Sequence, residues 1–82
     1  MTKPARRGSF GELLREHRGQ AGLTLASAAK EMGYSSKTYL SELETGATTP
    51  PVRPDFYRRL KKVYGLTTAQ ITDLLMRAID SE

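Results

Sequence analysis

Four glycines cut this chain into lengths that suit short helices. Gly22, Gly33, Gly46 and Gly65 each follow a stretch whose apolar residues recur at steps of three and four, the spacing of one face of an α-helix. A glycine just past such a stretch is a stop signal, because it accepts the left-handed backbone that closes a helix. The start signals agree with the stops. Ser9 has Glu12 three residues on, a capping-box spacing, and Phe10, Leu13, Leu14, His17 and Ala21 then form a stripe that ends at Gly22. Thr24, a good N-cap, opens a second stretch through Leu25, Ala28, Ala29 and Met32 to Gly33. The third opens at Ser35 or Ser36, turns Tyr39, Leu40 and Leu43 inward and stops at Gly46. Pro50, Pro51 and Pro54 make "ATTPPVRPD" a loop, since proline lacks the amide a helix interior needs. The fourth runs from Pro54 or Asp55 through Phe56, Tyr57, Leu60, Val63 and Tyr64 to Gly65. The fifth starts at Thr67, with Gln70 at capping-box spacing, and is expected to bury Ile71, Leu74, Leu75, Ala78 and Ile79. No strand is read. The expected fold class is all-α, a compact five-helix bundle over residues 9–82, with residues 1–8 as a flexible basic arm.

Composition removes several classes of function. Eighty-two residues make one small domain, with limited core area to set against chain entropy. There is no cysteine, so disulfides and thiolate metal sites are out. His17 is the single histidine, which leaves it no second imidazole for a metal or for catalysis. With no glycine-rich phosphate loop and no carboxylate pair placed for acid–base work, an enzyme finds no support, and no cofactor or metal is expected. No apolar run approaches the ~20 residues of a membrane span. "MTKPARRG" lacks the apolar stretch of a signal peptide. A cytoplasmic protein with no membrane partner is the expectation.

Charge carries more information. The net charge is +4, and its distribution is uneven. Lys3, Arg6 and Arg7 give residues 1–8 a charge of +3, residues 47–66 carry +4, and residues 67–82 carry −2. Two basic zones around a near-neutral middle suit a polyanion held at its edges, although solubilising charge gives the same composition.

Between those zones lies "KEMGYSSKTYLSELETG", residues 30–46. Helix, short turn, helix is how a recognition helix is presented to the major groove, which is wide enough to admit one. Ala28 and Ala29 supply small residues where the first helix of the pair must cross under the second, and a serine is expected to N-cap the second. With Tyr39, Leu40 and Leu43 inward, Ser36, Lys37, Thr38, Ser41 and Glu42 face out. They are short or hydrogen-bonding groups near a helix N-terminus, suited to base edges.

"FGELLREHRGQAGLTLASAAKEMGYSSKTYLSELETG", followed by "PPVRPDFYRRLKKVYGLT", resembles the phage repressor/Cro type of helix-turn-helix domain, also called the xenobiotic-response-element type. The likeness covers about residues 9–76 and rests on ordered features: "AGLT", Ala29 four before Gly33, Glu44 two before Gly46, and "YGLT" ahead of the last helix. It implies a phage-repressor-like five-helix fold that binds double-stranded DNA. It also implies a structural ion pair between Arg18 and Glu44, and backbone contacts from Thr24, Thr48, Thr49 and Arg53.

The chain departs from that family in two places. Gly33 to Gly46 is thirteen steps where the family usually has twelve. Counted from Gly46, the base-reading positions fall on Lys37, Thr38 and Glu42; counted from Gly33, on Ser36, Lys37 and Ser41. Lys37 belongs to both sets. Leu25 stands where a phosphate-contacting glutamine is common, so that contact passes to Thr24 or to neighbouring backbone amides.

Each outward residue has a plainer alternative. Ser36 serves as an N-cap or touches DNA. Glu42 accepts from a cytosine amino group or ties down a neighbouring cation. Arg58, Arg59, Lys61 and Lys62 form a phosphate patch or a solvated helix face. Arg6 and Arg7 reach a groove or form an inert tail, and His17 packs on the apolar stripe. The expected function is a sequence-specific DNA-binding transcriptional regulator. It is read as a small dimeric repressor that binds an inverted-repeat operator through the helix at about residues 36–44. Met76 and Ile79 remain for a homodimer interface, and a regulatory protein partner is also open. The alternative is an antitoxin or adaptor module whose main partner is another protein.

Overall fold

Start and stop signals work by giving partners to backbone groups that a helix end leaves open. In the computed structural model, which describes residues 9–80, they delimit five helices: α1 (Phe10–Gln20), α2 (Leu25–Met32), α3 (Thr38–Thr45), α4 (Pro54–Tyr64) and α5 (Thr68–Asp80). The arm expected over residues 1–8, with Arg6 and Arg7, lies outside the described residues. Among the described residues there is no strand. The Ser9 hydroxyl accepts the Glu12 amide at 3.3 Å. Thr24 and Ser27 exchange both bonds of a capping box at 3.0 Å, as do Thr67 and Gln70 at 2.9 and 3.1 Å.

The core is one cluster to which every helix contributes. Leu14 from α1, Leu40 and Leu43 from α3, Leu60 from α4 and Leu74 from α5 are its largest fully buried side chains, and Ala28 and Ala29 complete it from α2. Helix α1 packs on α3 and α5, α2 on α3 and α4, and α4 on α5. Small residues on α2 let it lie close beneath its neighbours. Phe10, Phe56 and Tyr57 add edge-to-face ring contacts at 5.0–6.5 Å between centroids.

Several boundaries and faces differ from the sequence expectation. Helix α3 begins at Thr38, two or three residues later than Ser35 or Ser36. Lys37, not a serine, occupies the N-cap position. The Ser36 hydroxyl still accepts the Thr38 amide at 3.4 Å, the bond a capping serine makes to the amide two residues ahead. Ala21 falls past the end of α1 and is exposed. On α5, Leu74 and Ala78 are buried, Ile71 and Leu75 are half-buried, and Ile79 is 48% exposed rather than buried. That shift is a matter of phase, since Leu74 and Ala78 define a face that points Ile79 away.

One close approach sets how α1 meets α3. A Cβ built on Gly11 would lie 2.7 Å from the Leu43 carbonyl oxygen and closer still to that of Glu44. Both are backbone atoms, which cannot swing aside as a flexible side chain would. Gly11→Ala favours helix by propensity, by up to about 1 kcal/mol, but forces α1 off α3. Overpacking of this kind costs about 1–3 kcal/mol, so net destabilisation is expected and a urea titration reads it. A variant as stable as wild type would mean that the two helices separate freely.

Candidate nucleic-acid interface

A half-buried guanidinium ties α3 to the rest of the domain from behind its exposed face. Arg18, in the last turn of α1, donates from Nε to Glu44 Oε2 at 2.7 Å and from Nη2 to Oε1 at 3.1 Å. Its Nη1 donates to the Leu23 carbonyl at 2.8 Å. One side chain therefore joins α1, the end of α3 and the loop that leads into α2. The side chains are 15% and 5% exposed, so little water competes for either charge. The Glu44 carboxylate, chiefly through its hydrogen bonds, raises the Arg18 pKa against the opposing effect of burial. Nearby, burial and the Glu44 charge push the Tyr64 hydroxyl up to about 12.

A second arginine secures the turn. Gly33 closes α2 at φ 90°, and the Tyr34 amide reaches back to the Ala29 carbonyl at 2.9 Å. Arg59 of α4 donates from Nη1 to the Met32 carbonyl at 2.9 Å, satisfying the negative end of α2. Sequence reasoning placed Arg59 only in a run of four cations, and nothing in that run marks which one reaches back to α2. Tyr34 then packs edge-on against Tyr39 at 5.3 Å, which ties the turn to α3. Residues 34–37 form the turn between the two helices, ahead of an unbroken α3 that runs to Gly46.

The candidate residues can now be placed. Ser36, Lys37, Thr38 and Glu42 are exposed; Ser41 is half-buried. Lys37 sits at the N-terminus of α3 (φ −83°, ψ −3°), its carbonyl accepting the Ser41 amide and its side chain making no cap bond. Thr24 is the N-cap of α2, with its amide and hydroxyl both engaged by Ser27. The open donors there are the first-turn amides of Leu25 and Ala26. Arg53 is the exposed N-cap of α4, followed by Pro54 at the first helical position. Thr24, Lys37 and Arg53 thus each mark the electropositive N-terminus of a helix. Thr49 is exposed and Thr48 half-buried in the loop between α3 and α4. Arg58 pairs with Asp55 at 3.5 Å, and Lys61 donates to the Thr68 hydroxyl at 3.0 Å. Met76 and Ile79 are 51% and 48% exposed on α5. Among the described residues, no group of acidic, cysteine and histidine side chains could hold a metal, and no helix is long and apolar enough to cross a membrane.

A short helix pinned over a second one, with one face in the core and the other open, is the form of a helix-turn-helix DNA-binding domain. The chain belongs to the helix-turn-helix domain family of the Cro/repressor type, whose model matches residues 9–74. No curated protein matches the chain, and no solved structure does.

Arg18→Ala strands the buried Glu44 carboxylate and opens the Leu23 carbonyl. Removing one partner of a buried ion pair costs about 3–5 kcal/mol, and thermal or urea unfolding is expected to show a loss of that order. Wild-type stability combined with failure to bind DNA would instead assign Arg18 to the DNA itself.

Proposed function

We propose that this protein is a sequence-specific transcriptional regulator, a small dimeric repressor that reads an inverted-repeat operator with α3 in the major groove. The observation that carries this reading is the exposed N-terminus of α3, where the Lys37 side chain projects with no cap bond beside Thr38 and Glu42, in a domain of a DNA-binding family. Because α3 runs unbroken back from Gly46, the register counted from that glycine supports Lys37, Thr38 and Glu42 as the principal base-contacting residues. Ser36 is engaged by the Thr38 amide and Ser41 is half-buried, so both play a lesser part. Thr24 with its neighbouring amides, Thr48, Thr49 and Arg53 hold the phosphate backbone, and Arg18 with Glu44 serves as scaffold. Bound at a promoter, such a domain excludes polymerase by occupancy.

Selection of bound duplexes from a random pool at one salt concentration tests this reading. Wild type is expected to enrich an inverted repeat. Lys37→Ala is expected to relax one position in each half-site and to lose about 1–3 kcal/mol on the selected sequence. Equal loss on selected and random DNA would move Lys37 to the phosphates. No enrichment by wild type would favour the adaptor or antitoxin reading, in which a protein is the main partner.

A single recognition helix covers too few base pairs to single out an operator among genomic competitors, so the proposal includes a C₂ dimer. Met76 and Ile79 lie three residues apart on one exposed face of α5, and they supply the seam. Two-fold symmetry sets the recognition helices about 34 Å apart, one turn of B-DNA, with half-sites centred about 10 base pairs apart or a small multiple of that. Ile79→Asp is expected to shift the protein towards monomer and to weaken operator binding without unfolding the domain, because Ile79 is outside the core. Sedimentation of both proteins decides it: a wild type that stays monomeric on and off the operator ends the dimer proposal.

A further inference from the structure

Beside the turn that joins α2 to α3, a groove of about 490 Å³ runs along α4. Arg53, Arg58, Arg59 and Lys62 line it against a single carboxylate, Asp55, and Tyr34 forms part of its wall. The four cations are not equivalent. Arg59 is committed to the Met32 carbonyl. Arg58 reaches Asp55 only at 3.5 Å, with the two side chains 81% and 93% exposed, an arrangement that contributes little and gives way easily to a better anion. Arg53 and Lys62 are exposed and have no carboxylate partner among the described residues. The groove is also electrically continuous with the turn. Burial raises the Tyr34 pKa, and the charges of Arg53 and Arg59 work against that rise. Tyr34 in turn packs against Tyr39 of α3, so the groove shares a wall with the helix assigned to the major groove.

We infer that this groove seats phosphates of the DNA strand flanking the α3 site, with Arg58 and Lys62 as phosphate-binding residues and Arg59 as the positioning residue of its wall. The inference rests on the DNA-binding reading and extends the backbone contacts from Arg53 along α4. A concave site with three cations free to turn towards a ligand matches a polyanion that continues past the recognition helix. Guanidinium groups suit phosphate oxygens in particular, because their paired donors match the oxygen spacing.

The test is the salt dependence of binding to one duplex of fixed sequence and length. Each phosphate contact contributes about 0.9 to the slope of log K against log salt. Arg58→Ala/Lys62→Ala is therefore expected to flatten the slope by about 1.8 units. Both residues are exposed, so the variant is expected to fold; Arg58→Gln/Lys62→Gln keeps more of the side-chain length and is expected to flatten the slope equally. Arg15→Glu, on the exposed side of α1, changes the net charge by the same two units and is expected to leave the slope at its wild-type value. An unchanged slope in both double variants overturns the groove. Equal flattening by Arg15→Glu overturns it too, because net charge would then account for the effect. Failure of wild type to bind any duplex at low salt overturns the DNA reading itself, an outcome distinct from loss of the groove alone.

Discussion

The bond between Arg18 and Glu44 is the constraint on which the presentation of α3 depends. Helix α3 has eight residues, too few to be stable alone in water, where isolated helices shorter than about 12–15 residues are marginal. Its shape and angle come from what it packs against. Leu40 and Leu43 fix it to the core, but apolar contact is non-directional and tolerates some sliding. The two-pronged guanidinium–carboxylate bond does not, because its paired donors and acceptors fit in one orientation. The third donor of Arg18, spent on Leu23, ties the same orientation to the start of α2. A shift of α3 would strand charge in a region that water hardly reaches.

Most of the fold was legible from residue order, because the signals were local. The glycine stops, the Thr24 and Thr67 caps and the proline-rich loop each act within about four residues, so spacing alone reveals them. The features misread or missed are those that depend on phase or on distant partners. Ile79 follows an apolar pattern that fits either face of α5, and only the packing of Leu74 and Ala78 selects one. Gly11 looks like an ordinary helix residue in sequence; the carbonyl oxygens of Leu43 and Glu44 that crowd it come from more than thirty residues away. The family and its helix-turn-helix were readable for the opposite reason, since several short signals had to occur in one order.

The start of α3 shows how a helix boundary changes a site. Ser35 and Ser36 are good N-cap residues by type, and a rule based on type places the helix start there. The Ser36 hydroxyl does accept the Thr38 amide, as a capping serine would, but the regular helix begins only at Thr38 and leaves Lys37 at its mouth. The consequence is electrostatic. A lysine at the N-terminus of a helix adds a full positive charge to the partial charge of the open amides, which is unfavourable for the isolated domain and favourable beside an anion.

The same reasoning separates the cations of this domain into two populations. A small domain has limited apolar area, and here two arginines serve as ties between segments: Arg18 joins three of them and Arg59 links α4 to the end of α2. Arg18 is neutralised by the Glu44 carboxylate, whereas Arg59 keeps its charge but has its donor committed to a backbone carbonyl. Lys37, Arg53 and Lys62 make no such bonds and stand exposed. Formal charge counts both populations alike, which is why the +4 of the sequence says less about a polyanion than the location of these free ends. Two of the three lie at helix N-termini, where backbone donors already point outward and an anion would be favoured by both the dipole and the side chain.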